Sequence, residues 1–203
     1  GLGTAPDIVI TKSRSATGKW IFFTTAEPTK YSYLNQSSAF TTTNLDDRFG
    51  NNTSVILPSS TVVTIGTNVD VNTSGTTYVS YVFSEIEGYS KFGSFTGNNS
   101  STDNTYVHLG FLPQLVIIKN VSASADWIIR DRLHSGYYSY LGNPIPIGLE
   151  PNTPDALSGG SATNLDFTSS GFKVRGNDTR IGASNTYIYM AFAEQPFKFS
   201  NAR

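Results

Sequence analysis

The chain has 203 residues with Lys+Arg 14 against Asp+Glu 15, a formal net charge of −1 and only 14% charged residues. That excludes the clustered basic footprint of a nucleic-acid binder. There is no cysteine, so neither a disulfide framework nor a thiolate metal site exists. Aromatics at 13%, with abundant Ser, Thr, Asn and Gly and no amphipathic helical window, specify an all-β protein of strands joined by turns.

Strand signals in chain order begin with residues 7–12, which end in a polar turn at 13–18. Residues 19–24 and 30–34 follow, then a Thr-, Asn- and Asp-rich loop over 41–53. Short apolar runs at 55–57 and 62–65 predict two more strands. In the long run 76–85, Tyr78, Ser80, Val82 and Ser84 alternate with Val79, Tyr81 and Phe83. Both sets carry apolar residues, which predicts a central strand covered on both sides. Residues 97–103 are polar and short between aromatic strands, and predict a hairpin turn in place of a domain linker.

The second half reproduces the first. At an offset of 107 residues, Leu2-Gly3 returns as Leu109-Gly110, Val9-Ile10 as Val116-Ile117 and Lys12 as Lys119. Trp20-Ile21 returns as Trp127-Ile128, and Tyr31-Ser32-Tyr33-Leu34 as Tyr138-Ser139-Tyr140-Leu141. Two residues out of step, Thr77-Tyr78, Phe83 and Glu85 match Thr186-Tyr187, Phe192 and Glu194. Strands are therefore expected at 114–119, 126–131, 137–141, 165–168, 171–175 and 186–194, with a proline-rich excursion over 143–154. Each repeat predicts about six or seven strands.

An internal repeat decides architecture before local motifs do. The expected fold is an antiparallel β-sandwich, of jelly-roll or legume-lectin-like size, built from two homologous repeats in a pseudo-twofold relation. Residues 1–97 form the first repeat and 98–203 the second, packed as one sandwich domain; two tandem small sandwiches are the alternative. No apolar run approaches the roughly 18 residues of a membrane span, so no membrane insertion is expected. The chain opens at Gly1 directly on a repeat motif, as an excerpt from a longer protein would.

What recurs is packing residues, not a constellation of His, Cys or acids. His108 lies in the strand-like stretch 106–109 and reads as structural. His134 lies beside Asp131 and Arg132, yet no Gly-x-Ser-x-Gly elbow supports a nucleophile nearby. Glu85 and Glu194 end equivalent strands and read as structural partners of Lys12 and Lys119. Trp20 and Trp127 occupy equivalent strand positions and read as core. No catalytic residue, metal site or cofactor is expected. Unduplicated aromatics near loops are the better ligand candidates, namely Tyr106 beside the 98–104 loop, and Tyr137 with Arg132 and His134.

The phrases Gly1-Leu2-Gly3-Thr4-Ala5-Pro6-Asp7-Ile8-Val9-Ile10-Thr11-Lys12 and Leu109-Gly110-Phe111-Leu112-Pro113-Gln114-Leu115-Val116-Ile117-Ile118-Lys119 carry a family likeness. So do Tyr89-Ser90-Lys91-Phe92-Gly93-Ser94-Phe95-Thr96-Gly97-Asn98 and Tyr187-Ile188-Tyr189-Met190-Ala191-Phe192-Ala193-Glu194. They resemble an uncharacterised repeat domain of tail-fibre and other virion proteins of marine bacteriophages, which occurs beside lectin-like sandwich domains. The resemblance implies a virion or extracellular module with no established catalytic residues. The expectation is a non-enzymatic structural and adhesive module that contacts other virion proteins and a cell-surface polysaccharide. Trimerisation is expected by analogy with fibres. The alternative is a carbohydrate-binding module of a secreted marine bacterial protein, and a polysaccharide-degrading enzyme ranks below both.

Overall fold

The computed structural model describes residues 2–133 and 143–195, and it is all-β with antiparallel sheets and, among the described residues, one 3-10 turn at Ser161–Thr163. Two compact units divide the chain, Gly1–Glu85 and Ile86–Arg203. No helix among the described residues is long and apolar enough to cross a membrane.

The first unit holds β1 (Ile8–Ser13), β2 (Ile21–Thr24), β3 (Tyr31–Tyr33) and β4 (Tyr78–Phe83) in the sheet order β3-β2-β1-β4. Its β-branched and aromatic strands suit a pleated, half-buried surface. Val9, Ile21 and Phe23 are fully buried, and Phe23 tilts against Phe49 with ring centroids 5.0 Å apart. Burying one such side chain contributes about 1.5–3 kcal/mol. The long segment between β3 and β4 is irregular, but it delivers Leu45, Phe49 and Val71 to this core. Arg48 is buried there too, donating to Asp70 Oδ2 (2.8 Å) and the Asn44 carbonyl (2.9 Å), with its guanidinium 4.5 Å from the Tyr31 ring centre.

Residues 55–57 and 62–65 do not form the strands expected of them. Apart from the isolated bridge between Gly50 and Val55, they join no ladder. The Ser59 N–H donates to the Val62 carbonyl at 2.9 Å, closing a local turn that leaves Leu57 and Val62 exposed.

The second unit holds β5 (Ser90–Thr96), β6 (Tyr106–His108), β7 (Pro113–Asn120), β8 (Ile128–Asp131) and β9 (Ile147–Leu149). Then come β10 (Ser158–Gly159), β11 (Leu165–Thr168), β12 (Gly171–Val174) and β13 (Thr186–Ala193). They make a six-stranded sheet, β10-β9-β8-β7-β13-β5, and a three-stranded sheet, β11-β12-β6. One core joins the two sheets: Phe172 of the smaller lies 5.9 Å from Phe95 and 5.7 Å from Tyr189 of the larger, ring centre to ring centre. β9 lies inside the 143–154 stretch expected as a loop. The expected hairpin at 97–103 is instead a crossing between sheets, because β5 pairs with β13 and β6 with β12.

The sequence offsets recur as strand register. Val9 stands opposite Phe23 on β2 and Val82 on β4; Val116 stands opposite Arg130 on β8 and Ala191 on β13. Every pair of β1 with β2 that is shifted by 107 residues is a pair of β7 with β8. The turns follow suit. The Thr77 N–H donates to Ser15 Oγ (3.0 Å) and the Thr186 N–H to Ser122 Oγ (3.3 Å). The strand expected at 137–141, which repeats the Tyr31–Leu34 block, lies outside the described residues.

The ladders differ at their margins. Among the described residues β4 is an edge strand, so the expectation of a central strand at 76–85 is corrected; its counterpart β13 is central, because β5 pairs with its far side. That same β5, which the repeat reading places within residues 1–97, belongs to the second unit.

Candidate functional site

In the three-stranded sheet, alternation turns Leu165, Phe167, Phe172, Val174 and Val107 into the core. Asp166, Thr168, Lys173, Tyr106 and His108 therefore take the outer face. Register sets them in rows, with Asp166, Lys173 and Tyr106 side by side, then Thr168, Gly171 and His108. Tyr106 is 43% exposed. Its hydroxyl lies 2.8 Å from Ser170 Oγ and 3.3 Å from Thr168 Oγ1, so the ring reaches across the sheet to the β11–β12 turn. Gly171 makes this passage: a Cβ there would sit 2.0 Å from the Val107 carbonyl and 3.0 Å from the Tyr106 hydroxyl. The ring is held at its tip, while its solvent side stays open.

An open groove of about 410 Å³ adjoins this face, lined by Ser101, Thr102, Asn143, Pro144, Asp166 and Arg175. Arg175 Nε is ion-paired with Asp166, and its Nη1 donates to the Thr102 carbonyl at 3.0 Å. Lys173 pairs with Asp103, and this bond and charge hold the exposed Asp103 carboxyl below the usual carboxylate range. Asn143 is fixed on β11: its Nδ2 donates to the Phe167 carbonyl and its Oδ1 accepts from the Phe167 N–H, both at 2.7 Å.

The 98–104 loop is set by buried Asn104. Its Nδ2 donates to the carbonyls of Gly182 (2.8 Å) and Gly176 (2.9 Å). Its Oδ1 accepts the N–H groups of Thr105 (2.8 Å) and Asn98 (3.0 Å). Glycines at 176 and 182 let backbone crowd around this amide. The result is a flat aromatic face beside fixed carboxylate, guanidinium, amide and hydroxyl groups, an arrangement suited to stacking and hydrogen bonding. Among the described residues no group of three or more His, Cys, Asp or Glu is placed to hold a metal ion.

A family of domains of unknown function, DUF7483, matches residues 1–196. The chain belongs to this family. No curated protein and no solved structure matches it.

Of the ligand candidates read from this DUF7483 sequence, Tyr106 lies on the face just described, on its edge strand β6. Arg132 is exposed just beyond β8 of the other sheet, its N–H donating to the Gln114 carbonyl at 3.0 Å. Neither the strand pairing nor a hydrogen bond brings the two together. His134 and Tyr137 lie outside the described residues. The Asp131 carboxylate accepts from Gln114 Nε2 (2.9 Å) and the Leu133 N–H (2.8 Å), holding the turn after β8.

The lysine–glutamate pairing expected at the strand ends is corrected by the register. Lys12 stands opposite Val79 and Lys119 opposite Ile188, six residues short of Glu85 and Glu194, or roughly 20 Å along a strand. The lysines hold turns instead: Lys12 Nζ donates to the Ala16 carbonyl (2.9 Å) and Lys119 Nζ to the Ala125 carbonyl (2.5 Å). Trp127 is fully buried, whereas Trp20 is half-buried and stacks on Tyr81 at 6.3 Å. Asp166, Lys173 and Arg175 were not singled out from the sequence. Their alternation with Leu165, Phe167, Phe172 and Val174 was the available signal.

Proposed function

We propose that this chain is a non-enzymatic adhesive module of a phage virion protein, in a tail fibre or surface appendage, that reads a host-surface glycan through the outer face of its three-stranded sheet. The observation carrying this reading is Tyr106, exposed and held by its hydroxyl beside Gly171, with Asp166, Lys173 and Arg175 alongside. A sugar ring offers axial C–H groups to an aromatic face and hydroxyls to planar polar groups at its rim. Charged hydrogen bonds of this kind contribute about 1.5–3 kcal/mol each at most, so one site is weak. Several copies on a particle gain affinity by avidity. The likeness to marine phage fibre repeats supplies the setting.

We further infer that the two units descend from one duplicated β module, the second of which closes as an antiparallel sandwich. The common ladder register supports the duplication, and the core shared by the two sheets of the second unit supports the sandwich.

The test is retention on immobilised cell-surface polysaccharides, for wild type, Tyr106→Ala and Arg132→Ala. Retention weakened about tenfold by Tyr106→Ala, a loss of about 1.4 kcal/mol, supports the reading. Loss with Arg132→Ala alone would move the site to the 132–137 segment, and no retention of wild type would remove the glycan.

A further inference from the structure

The charges around the groove beside Tyr106 form two closed pairs. Asp103 is bonded to Lys173, and Asp166 to Arg175 Nε. Register places Lys173 directly opposite Asp166 on β11. The four charges therefore alternate in sign from Asp103 to Arg175 and sum to zero. Lys91 stays apart from them: its Nζ donates to the His108 carbonyl at 3.3 Å, at the opposite end of β12 from Arg175.

Of the described residues lining the groove, Asp166 and Arg175 alone are charged. Ser101 and Thr102 are exposed and add hydroxyls, while Asn143 commits both ends of its amide to Phe167. Arg175 spends Nε on Asp166 Oδ2 and Nη1 on the Thr102 carbonyl. Its Nη2 and the Asp166 Oδ1 have no hydrogen-bond partner among the described residues. One ion pair thus offers a ligand an acceptor beside a donor. A hydroxyl both donates and accepts, so two neighbouring ring hydroxyls can bridge the pair without separating its charges. A carboxylate or sulfate only accepts. It would have to lose water and face Asp166 and the exposed Asp103, while the guanidinium is already neutralised. Such like-charge opposition is a repulsive element, the kind by which a site rejects a wrong ligand.

We propose, resting on the glycan reading, that the groove takes an uncharged sugar bearing two neighbouring hydroxyls and rejects uronate and sulfated sugars. Asp166 Oδ1 accepts from one hydroxyl and Arg175 Nη2 donates to the next. The rejection comes from Asp166, because it cancels the charge of Arg175.

Amide NMR titrations of the full chain with cellotriose, N-acetylchitotriose and an alginate trimer test it, each at about 0.02 and 0.2 M NaCl. The expected result is shifts at Tyr106, Asp166 and Arg175 with a neutral sugar, equal at both salt concentrations, and none there with alginate. Asp166→Asn keeps the size of the side chain and removes its charge, leaving Arg175 a free cation. This variant is expected to bind the alginate trimer about fivefold more tightly than wild type and to lose that gain at the higher salt. Its urea midpoint shows that it stays folded. Alginate shifting these amides in wild type as strongly as a neutral sugar overturns the proposal and leaves the glycan reading standing. So does a folded Asp166→Asn chain that gains no alginate binding. No shift at this face with any of the three sugars overturns the glycan reading itself, and the proposal with it.

Discussion

The two units build the same three-strand ladder and fill it differently. Opposite Val9 stands Phe23, whose ring meets Phe49; opposite Val116, in the same register, stands Arg130. Both are buried, but the guanidinium donates to Thr163 Oγ1 (2.9 Å) and the Thr163 carbonyl (3.2 Å). Gly148 leaves it room, since a Cβ there would lie 2.2 Å from Arg130 Nη1. A backbone ladder thus tolerates the exchange of an aromatic for a cation, provided that the segment covering it changes as well. The same contrast runs through the repeated Trp, the repeated Lys and the equivalent strands β4 and β13: each is more deeply buried in the second unit.

The largest effect expected from that contrast is at the tryptophans. Trp127→Ala should cost about 3–5 kcal/mol of unfolding free energy, as for large-to-small core changes, and Trp20→Ala clearly less. Urea unfolding of both variants measures this, and equal losses would break the comparison. Next, Gly148→Ala forces a methyl against Arg130 and the Ile129 carbonyl, and should cost about 1–3 kcal/mol. Gly18→Ala, where a Cβ meets nothing within 4 Å, should change stability little.

A smaller effect depends on pH. Burial pushes the Lys119 ammonium down to about 8 from its ordinary 10.5. Between those values the unfolded chain holds a proton that folded Lys119 has released. Stability from this group therefore rises with pH, by at most about 1.4 kcal/mol per pH unit. Above about pH 10 the sign reverses through Tyr187, which burial pushes up to about 12, because the folded chain then keeps a proton that the unfolded chain loses. Unfolding midpoints at pH 8, 9 and 10 should climb in wild type and flatten in Lys119→Met; parallel curves would remove Lys119 as the cause. The smallest stability effect is at Tyr106→Ala, within about 0.5 kcal/mol for an exposed site, even though it should abolish stacking on sugar.

Local pattern made most strands legible. Leu165–Thr168 and the β-branched run in β7 lie where apolar alternation and turn residues put them. The repeat even carried the register, since packing residues spaced by 107 are residues that take the same pair positions. Two kinds of feature were not legible. Val55 and Val62 look like strand residues, but a strand needs a neighbour, and local turns took their backbone bonds instead. The face around Tyr106 depends on β6 pairing with β12, more than 60 residues away, which no spacing in the chain announces. Tyr106 stood out because it is unduplicated and near a loop, whereas Asp166, Lys173 and Arg175 became its neighbours only through that pairing.

The most direct measurement is an amide NMR titration of the full chain with cellotriose, N-acetylchitotriose and an alginate trimer. The account predicts shifts clustered at Tyr106, Asp166, Lys173 and Arg175 for at least one of these sugars, lost in Tyr106→Ala. Shifts centred elsewhere, or none with any of the three in a chain that stays folded, would contradict it.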